Sequence, residues 1–412
     1  MEEDDPSEVA VVLGEGHIAQ AVKTAMNNAL PGVSGDIMGE YVQESVMAEI
    51  LESGPPEDET EARERFVGVL CEMENVDEND IRSSHRASST SSSCIRPPAL
   101  QLGDTIALIA PASWGDGFQE TAEALQQRGY KVKLPSNQNA RYGYLAGTDK
   151  HRAEAVMDAW RDPTVKVIWC LRGGYGCGRM LEYLDYEYIQ KDPKVLVGMS
   201  DITALHAAIM QRTGLVTFLG PVAKWTFDPK RDTNTMQQGI WDCICKGQAG
   251  RVFNGGQGSA TLVGGTAEGF LVGGNLSLIC AHIGTEWELD THEKILILED
   301  VGEKVYRIDR MLNQLQQAGK LGCLRGAILA SWAGCEGDEV DGWDVEHVCR
   351  EYFEDAEYPV VFGFPSGHVD QQLTLALNCR YLMDGDARQL TLLQSAVAPG
   401  ESSVAQAWDL EV

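Results

Sequence analysis

Short apolar runs alternate with amphipathic segments along residues 99–225. Runs rich in β-branched residues predict buried strands, and segments with apolar residues three and four positions apart predict helices. In chain order the predicted elements are strand Thr105–Ala110, helix Gln119–Arg128, strand Lys131–Leu134, helix Asp149–Arg161, strand Val165–Leu171, helix Gly178–Leu184, strand Val195–Met199 and helix Ile202–Arg212. Strands separated by single helices favour parallel pairing with right-handed crossovers. We therefore predict an N-terminal α/β layered domain with a mainly parallel sheet over residues 99–225.

Beyond about Pro221 the pattern changes, because glycine-rich segments interrupt short strand-like runs. This texture predicts a second, C-terminal α/β domain that is richer in β-structure, over residues 255–400. Its predicted elements are strand Lys294–Leu298, helix Val305–Leu315, strand Val360–Phe364, and two strands, Leu373–Leu382 and Leu390–Val397, which flank a turn at Asp384-Gly385.

The first part of the chain differs in composition from the rest. Apolar residues at helical spacing predict a small acidic helical extension over residues 1–82, and the serine-rich segment 83–98 predicts a flexible linker. Residues 1–94 hold 21 Asp and Glu against 5 Lys and Arg, and the whole chain carries a formal charge of −29. Such a charge argues against binding to nucleic acid or to an anionic membrane. A protein partner for residues 1–82 is compatible with this charge, and so is a solvated segment that binds no partner.

The cysteines and the lengths of the apolar runs indicate the cellular compartment of the protein. The 11 cysteines are scattered and form no C-x-x-C motif, so reduced thiols are expected. No apolar run approaches the roughly 18 residues of a membrane span, and the acidic N-terminus is unlike a signal or transit peptide. We expect a cytoplasmic protein.

Two strand ends carry the candidate chemistry. Ser200 follows the strand Val195–Met199 and precedes a helical pattern, a position that suits either a nucleophile or an ordinary helix N-cap. The neighbouring strand ends in Arg172-Gly173-Gly174-Tyr175-Gly176, where successive backbone N–H groups can hold an oxyanion. Ligands of open α/β sheets bind at such carboxyl ends. A nucleophile beside an anion-binding turn is what acyl transfer requires.

A serine nucleophile needs a base, normally a histidine that a carboxylate orients. Among the eight histidines, His368 alone follows a strand and a glycine-containing turn. Two carboxylates are candidates, Glu299 at a strand end and Glu303 four residues later, where the helix dipole by itself would favour a glutamate. Ser200 does not lie in a G-x-S-x-G motif, because Ile202 occupies the last position, so the fold should differ from that of the α/β hydrolases.

Several segments together resemble one family. They are RGGYG (172–176), GMSDITALH (198–206), GTAEGFLVGGNLSLI (265–279), ILILEDVGEKVYRIDRMLNQL (295–315) and GFPSGH (363–368). Residues 99–398 resemble the LD-carboxypeptidases, or muramoyl-tetrapeptide carboxypeptidases, a family with a branch that confers self-immunity to microcin C. Met199 departs from the aromatic residue that is usual before the serine, which bears on the shape of the pocket.

The resemblance implies a serine peptidase that uses neither a metal nor another cofactor and acts on a small peptide. Ser200 would be the nucleophile, His368 the base and Glu299 its orienting acid, with an oxyanion hole of backbone N–H groups at Gly174 and Asp201. Family members release a D-residue that follows an L-configured centre, place the site in a groove between two domains, and commonly form homodimers.

Three further residues have two interpretations each. Arg172 can bind a substrate carboxylate or buttress the glycine turn, Tyr175 can contact substrate or pack, and Asn275 can line the groove or cap a helix. Two alternative functions also stay open, a catalytically inactive scaffold on the same fold and an amidase of microcin-like peptide conjugates. A nucleotide cofactor is not expected, because neither the glycines near Gly14 nor those at 174–178 form a complete dinucleotide fingerprint.

Overall fold

The computed structural model describes residues 94–228, 230, 234–335 and 343–399. The predicted acidic extension, residues 1–82, and residues 83–93 of the predicted linker lie outside these ranges. None of the helices in the described ranges has the length and apolarity to cross a lipid bilayer.

The first described half of the chain builds one sheet, which we call sheet A. Its elements are β1 (Thr105–Ile109), α1 (Phe118–Gln127), β2 (Lys131–Lys133), α2 (Asp149–Arg161), β3 (Val165–Cys170), a 3₁₀ helix (Cys177–Tyr183), α3 (Tyr186–Lys191), β4 (Val195–Gly198), a 3₁₀ turn (Ser200–Ile202), α4 (Thr203–Thr213) and β5 (Thr217–Leu219). The strands lie in the order β2-β1-β3-β4-β5, and each pair is parallel. This arrangement confirms the predicted α/β layer.

The rest of the described chain forms a second sheet, sheet B. The elements in this part of the chain are α5 (Ala223–Thr226), α6 (Asn234–Trp241) with a π-helical turn (Asp242–Lys246), β6 (Val252–Asn254), β7 (Ala260–Val263), β8 (Thr266–Asn275), α7 (Leu276–Ala281), β9 (Lys294–Val301), α8 (Val305–Gln317), β10 (Gly326–Ala333), α9 (Val345–Phe353), β11 (Val360–Phe362), β12 (Leu375–Leu377), β13 (Arg380–Asp384) and β14 (Gln389–Leu392). Of these strands, β12 joins the edge of sheet A beside β5, and the others form sheet B. Sheet B has the order β6-β14-β13-β8-β9-β10-β11-β7, with a parallel centre from β8 to β11 and antiparallel flanks. The predicted β-rich C-terminal part is confirmed.

One predicted strand is wrong. Leu373–Leu382 was expected to be continuous, but it divides into β12, which pairs antiparallel with β5 of sheet A, and β13, which belongs to sheet B. The cause is Asn378, whose φ of 61° lies in the left-handed region and turns the chain between the sheets. Asparagine tolerates this conformation better than most residues do. The segment therefore connects the two sheets.

The predicted linker also ends earlier than expected. Ile95 N–H donates to Gly214 O at 2.9 Å and Ala398 N–H donates to Pro97 O at 2.8 Å, so residues 94–98 are fixed by hydrogen bonds to the turn after α4 and to the C-terminal end of the described chain. The backbone pairing of Ile95 with Leu215 adds to this attachment. Residues 94–98 therefore belong to the folded part and not to a flexible linker.

The central strands of both sheets have continuous apolar sequences because these strands are buried. Every residue of β4 is buried, as are Ile295–Asp300 of β9, because helices or the other sheet cover both faces. Polar chemistry is consequently restricted to the strand ends. The carboxyl ends of β1, β3, β4 and β5 meet at one edge of sheet A, and the site described next lies along it.

Candidate active site

Ser200 occupies a strained turn between β4 and α4. Its φ is 66°, a left-handed conformation that a non-glycine residue adopts at a cost of about 1–3 kcal/mol and that concentrates at functional sites. Neither the 3₁₀ turn Ser200–Ile202 nor α4 has a side-chain N-cap hydrogen bond. Ser200 is therefore not a helix cap, and the residue is half-buried at the carboxyl edge of sheet A.

The glycine turn after β3 lies directly against Ser200. A Cβ atom placed on Gly173 would lie 2.9 Å from Ser200 Cβ and 3.2 Å from its Oγ. Gly174 has a φ of 118°, and a Cβ atom there would overlap the Ser113 hydroxyl. A side chain at Gly173 would collide with Ser200, and one at Gly174 would collide with Ser113. Both positions therefore require glycine if the turn is to stay where it is.

A buried carboxylate holds these two turns together. Asp201 is completely buried, and its Oδ2 accepts a hydrogen bond from Cys177 N–H at 2.7 Å. Burial raises the pKa of Asp201 above its usual value, against the opposing effect of the Cys177 hydrogen bonds. Among the described residues its Oδ1 has no hydrogen-bond partner. Sequence reasoning used only the backbone of Asp201, and no local pattern shows that its side chain reaches a turn 24 residues earlier.

The acid and the base of the candidate triad contact each other. Glu299 Oε2 lies 2.6 Å from His368 Nδ1, the glutamate is completely buried, and the histidine side chain is 9% exposed. Gly367 permits this approach, because a Cβ atom there would lie 2.6 Å from Glu299 Oε2. Glu303 instead pairs with Arg307 at 3.3 Å on the outside of α8. The geometry selects Glu299 over Glu303 as the partner of His368.

A chain of hydrogen bonds connects the acid to the serine turn. Asn275 Nδ2 donates to Glu299 Oε1 at 3.3 Å, and Asn275 N–H donates to Thr203 Oγ1 at 2.9 Å. Thr203 begins α4, three residues after Ser200, so the contact joins the end of β8 to the serine turn. The Asn275 side chain also accepts from Leu278 N–H at 3.3 Å as the N-cap of α7. Its predicted capping is confirmed, and its amide adds a contact to the acid.

Ser200 and His368 are connected only indirectly, through Thr203, Asn275 and Glu299. No hydrogen bond joins them in the part of the chain that the structure describes, and catalytic hydrogen bonds are often long before substrate binds. The Trp225 ring lies edge-on to His368, with 5.8 Å between centroids. Lys224 N–H, next to Trp225, donates to Leu171 O at 3.1 Å, immediately before the glycine turn. Trp225 was not predicted from the sequence, although it follows the carboxyl end of β5, and ligands of open α/β sheets bind at such strand ends.

The other two predicted binding residues, Arg172 and Tyr175, lie in the glycine turn after β3. Arg172 Nη1 donates to Trp114 O at 2.8 Å, so this arginine does buttress the loop after β1. Tyr175 is 50% exposed, and its ring lies 6.0 Å from that of Tyr144. Within the described ranges, no group of three or more His, Cys, Asp or Glu residues is arranged to hold a metal ion.

Two family models match the chain. The LD-carboxypeptidase N-terminal domain matches residues 106–220, and the LD-carboxypeptidase C-terminal domain matches residues 268–383. These ranges contain Ser200 in the first case and Glu299 and His368 in the second.

Curated relatives cover nearly the same region. The chain is 36% identical over 308 residues to a probable murein peptide carboxypeptidase of Bacillus subtilis, which spans 74% of this chain and 96% of the relative. It is also 36% identical over 273 residues to a murein tetrapeptide carboxypeptidase of Pseudomonas aeruginosa, covering 64% of this chain and 87% of that one.

The fold matches solved structures as well. A structure of the microcin C7 self-immunity protein MccF, in complex with aspartyl sulfamoyl adenosine, superposes with a TM-score of 0.69 at 24% identity, covering 74% of this chain and all of that one. At this identity the match establishes the two-sheet fold.

Proposed function

The chain belongs to the LD-carboxypeptidase family and is a serine-type carboxypeptidase, and we propose that it removes the terminal D-amino acid from a murein tetrapeptide-like substrate through Ser200, His368 and Glu299. The observation that carries this proposal is the 2.6 Å contact between Glu299 and His368, which Asn275 connects by hydrogen bonds to the start of α4, three residues after the strained Ser200. The relatives named murein peptide and murein tetrapeptide carboxypeptidases support the substrate class.

In the proposed first step, Ser200 Oγ attacks the carbonyl carbon of the scissile amide while His368 Nε2 accepts the hydroxyl proton. The Glu299 carboxylate accepts a hydrogen bond from His368 Nδ1–H, which leaves Nε2 free as the base and stabilises the imidazolium that forms. His368 then gives the proton to the leaving amine as the C–N bond breaks. Water attacks the acyl-enzyme in the same manner, and Ser200 regains its proton.

The oxyanion of each tetrahedral intermediate would lie between the backbone N–H groups of Gly174 and Asp201. Support comes from the glycine turn, which lies against Ser200 with no Cβ atom between them. The Asp201 side chain fixes the relative position of the two turns through Cys177 N–H. Donors held in place before reaction stabilise the developing charge without reorganisation.

The completeness of this arrangement speaks against an inactive scaffold. A binding protein would not require a buried glutamate at hydrogen-bond distance from a nearly buried histidine, since burying an ionisable pair is costly without a function. The microcin-conjugate amidase is the weaker alternative, because the relative named microcin C7 self-immunity protein MccF is 27% identical, against 36% for the relatives named murein carboxypeptidases.

The test is release of D-alanine from an L,D-linked murein tetrapeptide by the purified full-length protein, beside Ser200→Ala and beside the same peptide ending in L-alanine. We expect turnover of the D-peptide only, unaffected by a chelator, and a loss of roughly 10⁴-fold or more in Ser200→Ala. Turnover of a peptidyl nucleotide conjugate but not of the tetrapeptide would favour the amidase. Equal rates for wild type and Ser200→Ala would refute the proposed nucleophile.

A further inference from the structure

Three loops at the carboxyl edge of sheet A assemble an aromatic and basic surface, the Trp114 cluster, made of Trp114, Arg141, Tyr144, Arg172 and Tyr175. The Arg141 guanidinium lies 3.6 Å from the centroid of the Trp114 ring, and Trp114 N–H donates to Tyr144 O at 3.3 Å. Arg172 Nη1 donates to Trp114 O at 2.8 Å. The loops after β1, β2 and β3 therefore meet at one tryptophan.

The two arginines of the cluster lack carboxylate partners. Neither Arg141 nor Arg172 forms an ion pair within the described ranges, whereas the nearby Arg179 and Lys224 pair with Asp149 and Asp116. The pKa of the Asp116 carboxyl is lowered chiefly by its bond to Lys224 and to a smaller extent by the charge of Arg172, so this acid near Arg172 is already paired with another cation. Arginine binds carboxylates with charge-assisted and often bidentate hydrogen bonds. The cluster is thus electrostatically suited to an anion.

The tyrosines give the same surface an apolar part. Tyr144 and Tyr175 are 57% and 50% exposed, and their rings lie 6.0 Å apart at an interplanar angle of 52°. Tyr175 is held in place by its N–H, which donates to Ser113 Oγ at 3.3 Å. Exposed aromatic faces beside arginines fit a ligand that has both methylene groups and a negative charge.

The cluster lies close enough to Ser200 to contact a bound peptide. Gly173 lies against Ser200, and Arg172 and Tyr175 are one and two residues from Gly173 along the chain. Consecutive Cα atoms are about 3.8 Å apart, so the Cα atoms of Arg172 and Tyr175 lie within about 8 Å of the Cα atom of Gly173. This is the span of two or three peptide residues at most.

From these observations we propose that the Trp114 cluster is a substrate subsite that binds an internal carboxylate of the peptide, on a residue other than the two that form the scissile bond. Arg141 and the free edge of Arg172 hold the carboxylate, and Tyr144 and Tyr175 pack against the adjoining methylene groups. The inference rests on the proposed carboxypeptidase function and adds to it a preference for acidic peptides.

A matched pair of peptides tests this subsite. L-Alanyl-γ-D-glutamyl-L-lysyl-D-alanine has one internal carboxylate, on its D-glutamyl residue, and the D-isoglutaminyl analogue replaces that carboxylate by a carboxamide of the same shape. We expect wild type to prefer the acid by about 10-fold or more in kcat/KM, mainly through KM, because hydrogen bonds to a charged group are the stronger ones. Arg141→Ala should reduce the preference to about twofold or less.

Two further variants control this experiment. Arg380→Ala removes a positive charge of similar exposure from β13, where Arg380 pairs with Glu268, and should keep the full preference. Arg141→Lys keeps the charge but not the planar fork and should give an intermediate preference. The thermal unfolding midpoint of each variant establishes that it is folded.

The outcomes separate the subsite from the activity. Equal kcat/KM values of wild type for the two peptides, with D-alanine released from both, would overturn the subsite alone. A folded Arg141→Ala that keeps the wild-type preference would do the same. Release from neither peptide would overturn the proposed function and the subsite together.

Discussion

Glu299 and His368 are 69 residues apart in the chain, yet Glu299 Oε2 lies 2.6 Å from His368 Nδ1. The contact forms because β9 ends beside the turn that follows β11, and because Gly367 leaves room for the carboxylate. The glutamate has no exposure and the histidine little, so water competes weakly for the bond. This pair is the structural basis of the proposed catalysis.

The first prediction concerns which glutamate orients His368. Glu299→Gln should lower kcat by about 10³–10⁴-fold with little change in KM, because an amide favours the wrong imidazole tautomer and does not stabilise the imidazolium. Glu303→Gln is the matched control, since Glu303 pairs with Arg307 on the surface and should leave kcat within about twofold. Steady-state kinetics of D-alanine release decide between them. A larger loss in Glu303→Gln would reverse the assignment.

The second prediction concerns the carboxylate that joins the two turns. Asp201→Ala leaves the buried Cys177 N–H without its acceptor, at a cost of about 1–3 kcal/mol, and should lower kcat by about 10–100-fold while KM changes little. Asp201→Asn retains an acceptor and should recover most of the loss. Kinetics and chemical denaturation of both variants provide the measurement. An unchanged kcat in Asp201→Ala would show that the turns keep their positions without this bond.

The third prediction tests the glycine turn as an oxyanion site. Gly174→Ala forces a side chain into a left-handed residue and against Ser113, so the turn must move and kcat should fall by about 10²–10³-fold. Gly322→Ala is the control, because a Cβ atom there would meet open space. Equal kcat values for Gly174→Ala and wild type would exclude the turn from catalysis.

The fourth prediction is a pH dependence of stability that arises beneath the serine turn. Burial lowers the pKa of His206 to about 4, and a His206 ring nitrogen lies 3.0 Å from Gly198 O. Because the folded-state pKa is below the unfolded value of 6.5, the neutral histidine contributes stability above pH 6.5 that is lost as the pH falls towards 4. Wild type should lose about 2 kcal/mol from this group between pH 7 and pH 5.

Chemical denaturation at the two pH values measures this loss. His206→Phe removes the titrating group and should show a correspondingly smaller difference between pH 7 and pH 5, whatever its absolute stability. His292→Asn, at an exposed histidine, should retain the wild-type difference. An identical pH difference in wild type and His206→Phe would contradict the assignment.

Much of sheet A was predictable from the sequence, because its strands are buried on both faces and end abruptly at glycine or polar residues. Val195–Met199 and Val165–Leu171 were each placed within one residue of the observed strands. Ser200 and Glu299 became candidates for the same reason, since each lies where an apolar run ends.

The remaining features depend on contacts between distant segments. The left-handed Asn378 divides an apparently continuous strand, and nothing in its local pattern indicates that the two parts join different sheets. The bond between Asp201 and Cys177 and the amide contact of Asn275 with Glu299 likewise arise from the packing of elements that are far apart in the chain. Hydrophobic periodicity contains no information about such pairs.

The central claim is that Ser200 is a nucleophile activated by His368, and covalent labelling tests it most directly. The full-length protein is treated with a peptidyl phosphonate ester ending in D-alanine, and the intact mass and the modified peptide are determined. We predict one equivalent of label on Ser200, a rate that falls by about 10³-fold or more in His368→Ala, and no label in Ser200→Ala. Label on another serine, such as Ser113 or Ser366, or the same labelling rate in His368→Ala, would contradict the account.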